Sequence, residues 1–106
     1  MLSYVIEVKF QTFDQAKIAN SYINTCLNEC LSIDGIVGMN TFIGQNGEIT
    51  STIKCENKGC MTSVDEKFQE VIKTLRSTMI FQAKTFYSIC SFQYEKEAAD
   101  RKSTRL

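Results

Sequence analysis

The sequence of 106 residues contains no histidine, no tryptophan and no proline. Without histidine the chain lacks the usual general base near neutral pH and the imidazole ligand of most zinc and haem sites. This absence excludes histidine-dependent catalytic triads and haem binding through an axial histidine. We therefore expect no metal and no cofactor.

An excess of either charge is also missing, because twelve basic and twelve acidic residues cancel. Phosphate binding relies on a basic excess or stripe, so nucleic acid is not an expected partner. The first ten residues have no basic region before an apolar run, so we do not expect them to be a signal peptide. No stretch approaches the ~20 apolar residues of a membrane span. We expect no membrane contact and a cytosolic, reducing location, in which the five cysteines are free thiols.

The central stretch of the chain, residues 35–55, reads as a β-hairpin. Asn46 and Gly47 lie between two β-prone runs, and Asn-Gly is a strong hairpin signal because both central residues of the tight turn need a positive φ. Before the hairpin, residues 4–10 alternate between apolar and polar as in a half-buried strand.

One helical pattern lies on each side of the hairpin. Thr12 and Gln15 have capping-box spacing, which predicts that the first helix begins near Phe13 and ends near Gly35. Residues 63–66 repeat the capping-box pattern and predict the start of a second helix at Ser63. The last strand is predicted within residues 81–94.

The resulting order β-α-β-β-α-β predicts a ferredoxin-like α+β sandwich. Two helices cover one face of a four-stranded antiparallel sheet, and right-handed crossovers place the first and third strands in its centre. We assign residues 1–95 to this domain and residues 96–106 to a polar tail with almost nothing to bury.

Four of the cysteines could form a zinc site in principle. Cys26 and Cys30 share the apolar stripe of the first helix, and Cys55 and Cys60 flank the turn after the hairpin. Neither spacing is the short one that structural zinc prefers, so buried free thiols are the favoured interpretation. Cys60 is a candidate reactive thiol, because a loop position beside Lys58 and before a helix N-terminus would lower its pKa.

Charged and aromatic side chains on the strands give no catalytic set. Glu7 and Glu48 could form an acid/base pair, but Lys9 and Lys54 accompany them, which favours a cross-strand ion-pair network. The strand order is also that of the RNA recognition motif. That motif needs stacking aromatics on its third strand, and residues 48–55 contain none.

Between residues 4 and 94 the chain resembles the dimeric α/β-barrel proteins of the antibiotic-biosynthesis-monooxygenase type. The resemblance lies in the order of four features: an opening strand, the entry to the second strand, the end of the third strand with a short polar turn, and the second helix. They occupy residues 5–10, 33–39, 53–57 and 68–75. Cys55 stands where that family commonly has a tryptophan, and the histidine often found in its second helix is absent. The activity of the haem-degrading members is therefore not implied, and no catalytic role is transferred to any residue.

Three functional hypotheses follow. The favoured one is a small, non-catalytic regulatory or inhibitory protein, of the kind that bacteriophages encode, that binds another protein. The alternative is a cofactor-independent oxygenase-like or small-molecule-binding protein, with an apolar or aromatic ligand between sheet and helices. The residues predicted to line that pocket are Tyr4, Ile6, Phe10, Tyr22, Phe42 and Phe68. An amino-acid-sensing domain of the ACT type shares the topology and is the third hypothesis.

The edge strands predict a homodimer. Edge strands are normally blunted by charge or proline, but residues 36–43 contain neither and are apolar on both faces. Two copies packed sheet to sheet would bury the faces that the helices leave open, as the family resemblance also implies. The residues predicted for this interface are Val37, Met39, Ile43, Tyr87 and Ile89.

Overall fold

The computed structural model describes residues 2–96, which form one βαββαβ unit. The elements are β1 (Leu2–Lys9), α1 (Phe13–Cys30), β2 (Ile36–Ile43), β3 (Glu48–Cys55), α2 (Lys58–Arg76) and β4 (Gln82–Ile89). The antiparallel sheet has the order β2-β3-β1-β4, with β1 and β3 in the centre. The predicted fold is confirmed. Of the predicted tail, residues 97–106 lie outside the described part.

The first helix begins where the capping box predicts. The Thr12 hydroxyl accepts a hydrogen bond from the backbone N–H of Gln15 across 3.1 Å, and the Gln15 side chain accepts one from the backbone N–H of Gln11. Helix α1 therefore starts at Phe13, and its buried stripe packs on β2 and β3.

The predicted start of the second helix is wrong by more than one turn. The side chain of Asn57 accepts a hydrogen bond from the backbone N–H of Cys60 across 2.9 Å and caps the helix, which begins at Lys58. Ser63 lies inside α2, and residues 56–59, read as a turn because of Asn57 and Gly59, provide the cap and the first helical positions.

The hairpin is confirmed, but its turn is not the one expected. Of Asn46 and Gly47, only Gly47 has a positive φ, and the β-turn runs from Gly44 to Gly47 with a 3.1 Å hydrogen bond. The carbonyl oxygen of Gly47 accepts a hydrogen bond from the backbone N–H of Phe10. A Cβ atom at Gly47 would lie 2.5 Å from the Phe10 carbonyl oxygen, so this contact excludes a side chain.

A β-bulge at Val37 decides which residues of β2 face the helices. The pairing register shifts between Ile36 and Gly38, so Met39 and Ile43 lie opposite Ile53 and Ile49 on the helix-covered side. Phe42 consequently lies on the open face of the sheet, which is the face that neither α1 nor α2 covers. The alternation assumed from the sequence had no bulge and therefore assigned these residues to the wrong faces.

The last strand lies within the predicted range, but the faces assigned to its residues are reversed. It ends at Ile89, and the register places Tyr87 opposite Tyr4 and Ile89 opposite Leu2, on the helix-covered side. Phe86, opposite Val5, lies on the open face. Of the five residues predicted for a dimer interface, Val37 and Met39 border a depression with Thr52 and Lys54, although the Met39 position pairs with Ile53 on the helix-covered side.

Candidate functional site

The pocket predicted between the sheet and the helices is filled by side chains. Tyr4, Ile6, Phe10 and Phe68 are buried members of the single apolar core. Tyr22 lies in a shallow groove between the two helices, and Phe42 lies on the open face of the sheet. The six residues therefore do not line a common cavity.

An open groove lies instead between α2 and β4, which we call the α2/β4 groove. Helix α2 packs over β1 and β3, so the helix-side residues at the end of edge strand β4 are left without a cover. Tyr87 and Ile89 are accordingly 58% and 72% exposed. The groove encloses about 410 Å³ and is lined by Leu2, Lys58, Met61, Thr62, Tyr87, Ser88 and Ile89. Its volume lies within the range of small-molecule sites.

The lining of the α2/β4 groove is mainly apolar. Met61 forms part of its buried wall, and Leu2 is half-buried beside it. The ring of Tyr87 packs at a tilt on that of Tyr4, with 5.7 Å between the ring centroids. Lys58, the first residue of α2, is the single charged residue of this lining. The groove therefore combines apolar surface with one positive charge.

A buried tyrosine joins the sheet to α2 behind Tyr87. The Tyr4 hydroxyl donates a hydrogen bond to Oδ1 of Asp65 across 2.5 Å, and the side-chain amide of Gln69 donates to the same oxygen across 3.2 Å. Burial raises the pKa of Tyr4 above its ordinary value, and the Asp65 carboxylate raises it further. Tyr4 is thus a neutral hydrogen-bond donor near pH 7 and not a proton acceptor.

Four of the five cysteines are buried and Cys90 is exposed. Burial raises the pKa of Cys55 to about 12. Cys26 and Cys30 share a hydrogen bond that raises the pKa of Cys26 and lowers that of Cys30. Among residues 2–96 the structure contains no group of three or more histidine, cysteine, aspartate or glutamate side chains that could hold a metal ion.

Cys60 does not lie on a loop, as the sequence suggested. It lies in the first turn of α2, where its side chain is 3% exposed and packs beside Gly35. The helix begins earlier than predicted, and this turn is folded onto the core. A thiol in this position is shielded from reagents in solution.

The charged side chains of the strands do not form the predicted ion-pair network. Lys9 donates a hydrogen bond to the backbone carbonyl oxygen of Asn46, and Lys54 donates one to the side chain of Gln93 across 2.8 Å. Glu48 accepts one from the side chain of Asn46. The hairpin loop and the segment after β4 supply these partners, and strand alternation alone does not predict them.

The open face of the sheet is the other distinct surface. Its apolar side chains include Phe42 on one edge and Phe86 on the other, 65% and 38% exposed. Threonines of β3 lie between them, and the segment after β4 crosses this face and contacts it through Gln93. No helix within residues 2–96 has the length and hydropathy needed to cross a membrane.

Comparison with known proteins identifies the fold. No family model and no curated protein matches the sequence. Among solved structures, a candidate antibiotic biosynthesis monooxygenase from Nitrosomonas europaea is similar with a TM-score of 0.71 and 8% identity, over 87% of this chain and 100% of that one. A variant of SnoaB, a cofactor-independent oxygenase from Streptomyces nogalater, matches with a TM-score of 0.67 and 8% identity, over 90% and 97%.

A dimeric ferredoxin-like protein from an uncultured marine organism is also similar. It gives a TM-score of 0.64 and 7% identity over 90% of this chain and 98% of that one. Identities at this level show a shared fold and do not by themselves carry over an activity. The chain has the ferredoxin-like fold of the antibiotic-biosynthesis-monooxygenase type.

Proposed function

We propose that the protein binds a small, mainly apolar molecule in the α2/β4 groove and acts as a homodimer. The observation that carries the proposal is the groove itself, about 410 Å³ of mainly apolar surface that the fold leaves uncovered. Isolated apolar side chains on a surface are ordinary, but a concave apolar site with a few polar groups is typical of ligand binding.

Binding is favoured over catalysis by the chemistry of the lining. The residues that line the groove include no carboxylate, no thiol and no imidazole. Tyr4, next to the groove, is protonated at neutral pH, since the ordinary tyrosine pKa is about 10 and burial raises the pKa of Tyr4 further. General acid–base chemistry needs a group whose pKa lies near the working pH, and this lining does not supply one.

Oxygenase chemistry without a cofactor is the second candidate. It is supported by the shared fold of SnoaB, which is named as a cofactor-independent oxygenase. A bound substrate would then have to provide the reactive centre, since the groove offers binding and orientation. The regulatory, inhibitory and amino-acid-sensing interpretations of the sequence stay predictions without support from these comparisons.

The homodimer is proposed on two grounds. The open face of the sheet carries Phe42 and Phe86, which would be buried if a second copy packed against it. A protein of the same fold is described as a dimer. We place the interface on the open face. Met39, Ile43, Tyr87 and Ile89 would then lie outside its centre, because the register places them on the other side of the sheet.

Thermal denaturation with a panel of small aromatic compounds, quinones included, tests ligand binding. Ile89→Glu places a charge in the apolar part of the groove, and Leu31→Glu is the matched control, since Leu31 is an exposed apolar residue at the end of α1. We expect at least one compound to raise the melting temperature of the wild type and of Leu31→Glu, but not of Ile89→Glu. Failure of every compound, or equal stabilisation of Ile89→Glu, would contradict the proposal.

A further inference from the structure

Lys58 lies in an unfavourable place for a lysine that only contributes to folding. It is the first residue of α2, where the helix dipole is positive and a cation is destabilising. The first turn of α2 contains no acidic residue to offset it. A residue that destabilises its helix locally, with no contact in the fold that compensates for it, is a candidate for a role in function.

The Lys58 ammonium group also has no hydrogen-bond acceptor within the part of the chain that the structure describes. Its backbone carbonyl oxygen accepts a hydrogen bond from the Thr62 hydroxyl, but its side chain makes neither a hydrogen bond nor an ion pair with residues 2–96. The two ion pairs of the described residues involve Lys17 and Lys67. No acceptor among residues 2–96 therefore pairs with the positive charge at the groove.

The remainder of the groove suits a flat, apolar body. Tyr87 packs one part of its ring on Tyr4 and is more than half exposed, so aromatic surface remains for a ligand. Met61, 2% exposed, closes the groove on its inner side, and Ile89 of β4, 72% exposed, adds accessible apolar surface. An aromatic ring can contact Tyr87 and Ile89 together.

We infer that the ligand of the α2/β4 groove is a small aromatic carboxylate. Its ring packs on the exposed surfaces of Tyr87 and Ile89, and its carboxylate accepts a charge-assisted hydrogen bond from the Lys58 ammonium group. This inference rests on the proposed function, since it names the ligand class of the same groove. Charge complementarity supports it, because Lys58 is the one charged side chain of the lining, and the lining residues include no carboxylate.

A pair of probes of equal shape separates the ligand class from the existence of the site. 2-Naphthoate and its neutral amide, 2-naphthamide, are titrated calorimetrically into the wild type, Lys58→Gln, Lys58→Arg and Lys73→Gln at low salt. Lys73 lies in the last turn of the same helix, so its replacement removes a charge away from the groove. Both lysines are exposed, and we expect all variants to fold.

We expect the wild type to bind the acid at least about tenfold more tightly than the amide, as a charge-assisted hydrogen bond is stronger than a neutral one. Lys58→Gln should remove this preference and leave amide binding unchanged, while Lys58→Arg and Lys73→Gln should keep it. Equal binding of acid and amide by the wild type, or a preference that survives in Lys58→Gln, would overturn the inference and leave the proposed function in place. If the wild type bound neither 2-naphthoate nor 2-naphthamide, this result would contradict both the inference and the proposed function.

Discussion

Tyr4 and Asp65, sixty-one positions apart in the chain, are joined by a hydrogen bond from the tyrosine hydroxyl to the carboxylate. The bond fixes α2 on the central strand β1 next to the α2/β4 groove. Tyr4→Phe keeps the ring contacts and removes the hydrogen bond, which should lower the free energy of unfolding by about 1–3 kcal/mol. Tyr22→Phe, at an exposed tyrosine of α1, is the control and should change it by less than about 0.5 kcal/mol.

The burial of Tyr4, together with its hydrogen bond to Asp65, gives a pH dependence with a definite sign. The pKa of Tyr4 is higher in the folded than in the unfolded chain, so its contribution is complete below the ordinary tyrosine pKa of about 10 and is lost as the pH rises above that value. Urea denaturation from pH 7 to 11 should show a stability difference between wild type and Tyr4→Phe that is constant up to about pH 10 and then shrinks. A difference that grew in the alkaline range would contradict this assignment.

The N-terminus of α2 is stabilised by Asn57 and not by Ser63. Asn57→Ala should lower the free energy of unfolding by about 1 kcal/mol, because it removes the side-chain acceptor of the Cys60 N–H. Ser63→Ala, within the helix, should be close to neutral. Chemical denaturation of both variants compares the two positions directly, and a larger loss for Ser63→Ala would restore the helix start that the sequence suggested.

The burial of the cysteines predicts their reactivity. Cys90 is exposed, whereas the other four are buried. A thiol reagent such as 5,5′-dithiobis(2-nitrobenzoate) should therefore modify one thiol quickly and four slowly in the native protein. Cys90→Ser should abolish the fast phase, and Cys60→Ser should leave it unchanged. A fast phase lost in Cys60→Ser would show that the first turn of α2 opens readily in solution.

The proposed homodimer makes a prediction about mass. Sedimentation equilibrium of the wild type should give twice the chain mass of 12.1 kDa. Phe42→Lys, which places a charge on the open face, should give the monomer mass. Ile80→Lys is the matched control, because Ile80 is an exposed apolar residue of the α2–β4 connection. A monomeric wild type at micromolar concentration would contradict the dimer.

The sequence predicts the elements better than it predicts the faces of the strands. The alternation of residues 4–10 and the Thr12 cap are local patterns, and both are confirmed. The bulge at Val37 shifts every later residue of β2 to the other face, and Gly38, a glycine inside the strand, is the one sequence signal beside it. Asn57 carried the signal for the second cap, but Gly59 after it suggested a turn.

The α2/β4 groove depends on packing that the sequence does not display. The apolar residues of β4 suggest burial, and only the position of α2 over β1 and β3 shows that Tyr87 and Ile89 remain uncovered. For the same reason, the aromatic residues chosen for a pocket proved to be core or surface residues. The sequence singled out Lys58 only as a loop cation beside Cys60, and its position in the first turn of a helix follows once the start of α2 is known.

The most direct test of the account is to observe where a ligand binds. The ¹⁵N-labelled protein is titrated with 2-naphthoate and the changes in backbone amide chemical shifts are mapped on the structure. We predict that the largest changes fall on the three segments that line the α2/β4 groove, around Leu2, residues 58–62 and residues 87–89. No change at saturating probe, or changes centred on the open face around Phe42 and Thr52, would contradict the groove as the binding site.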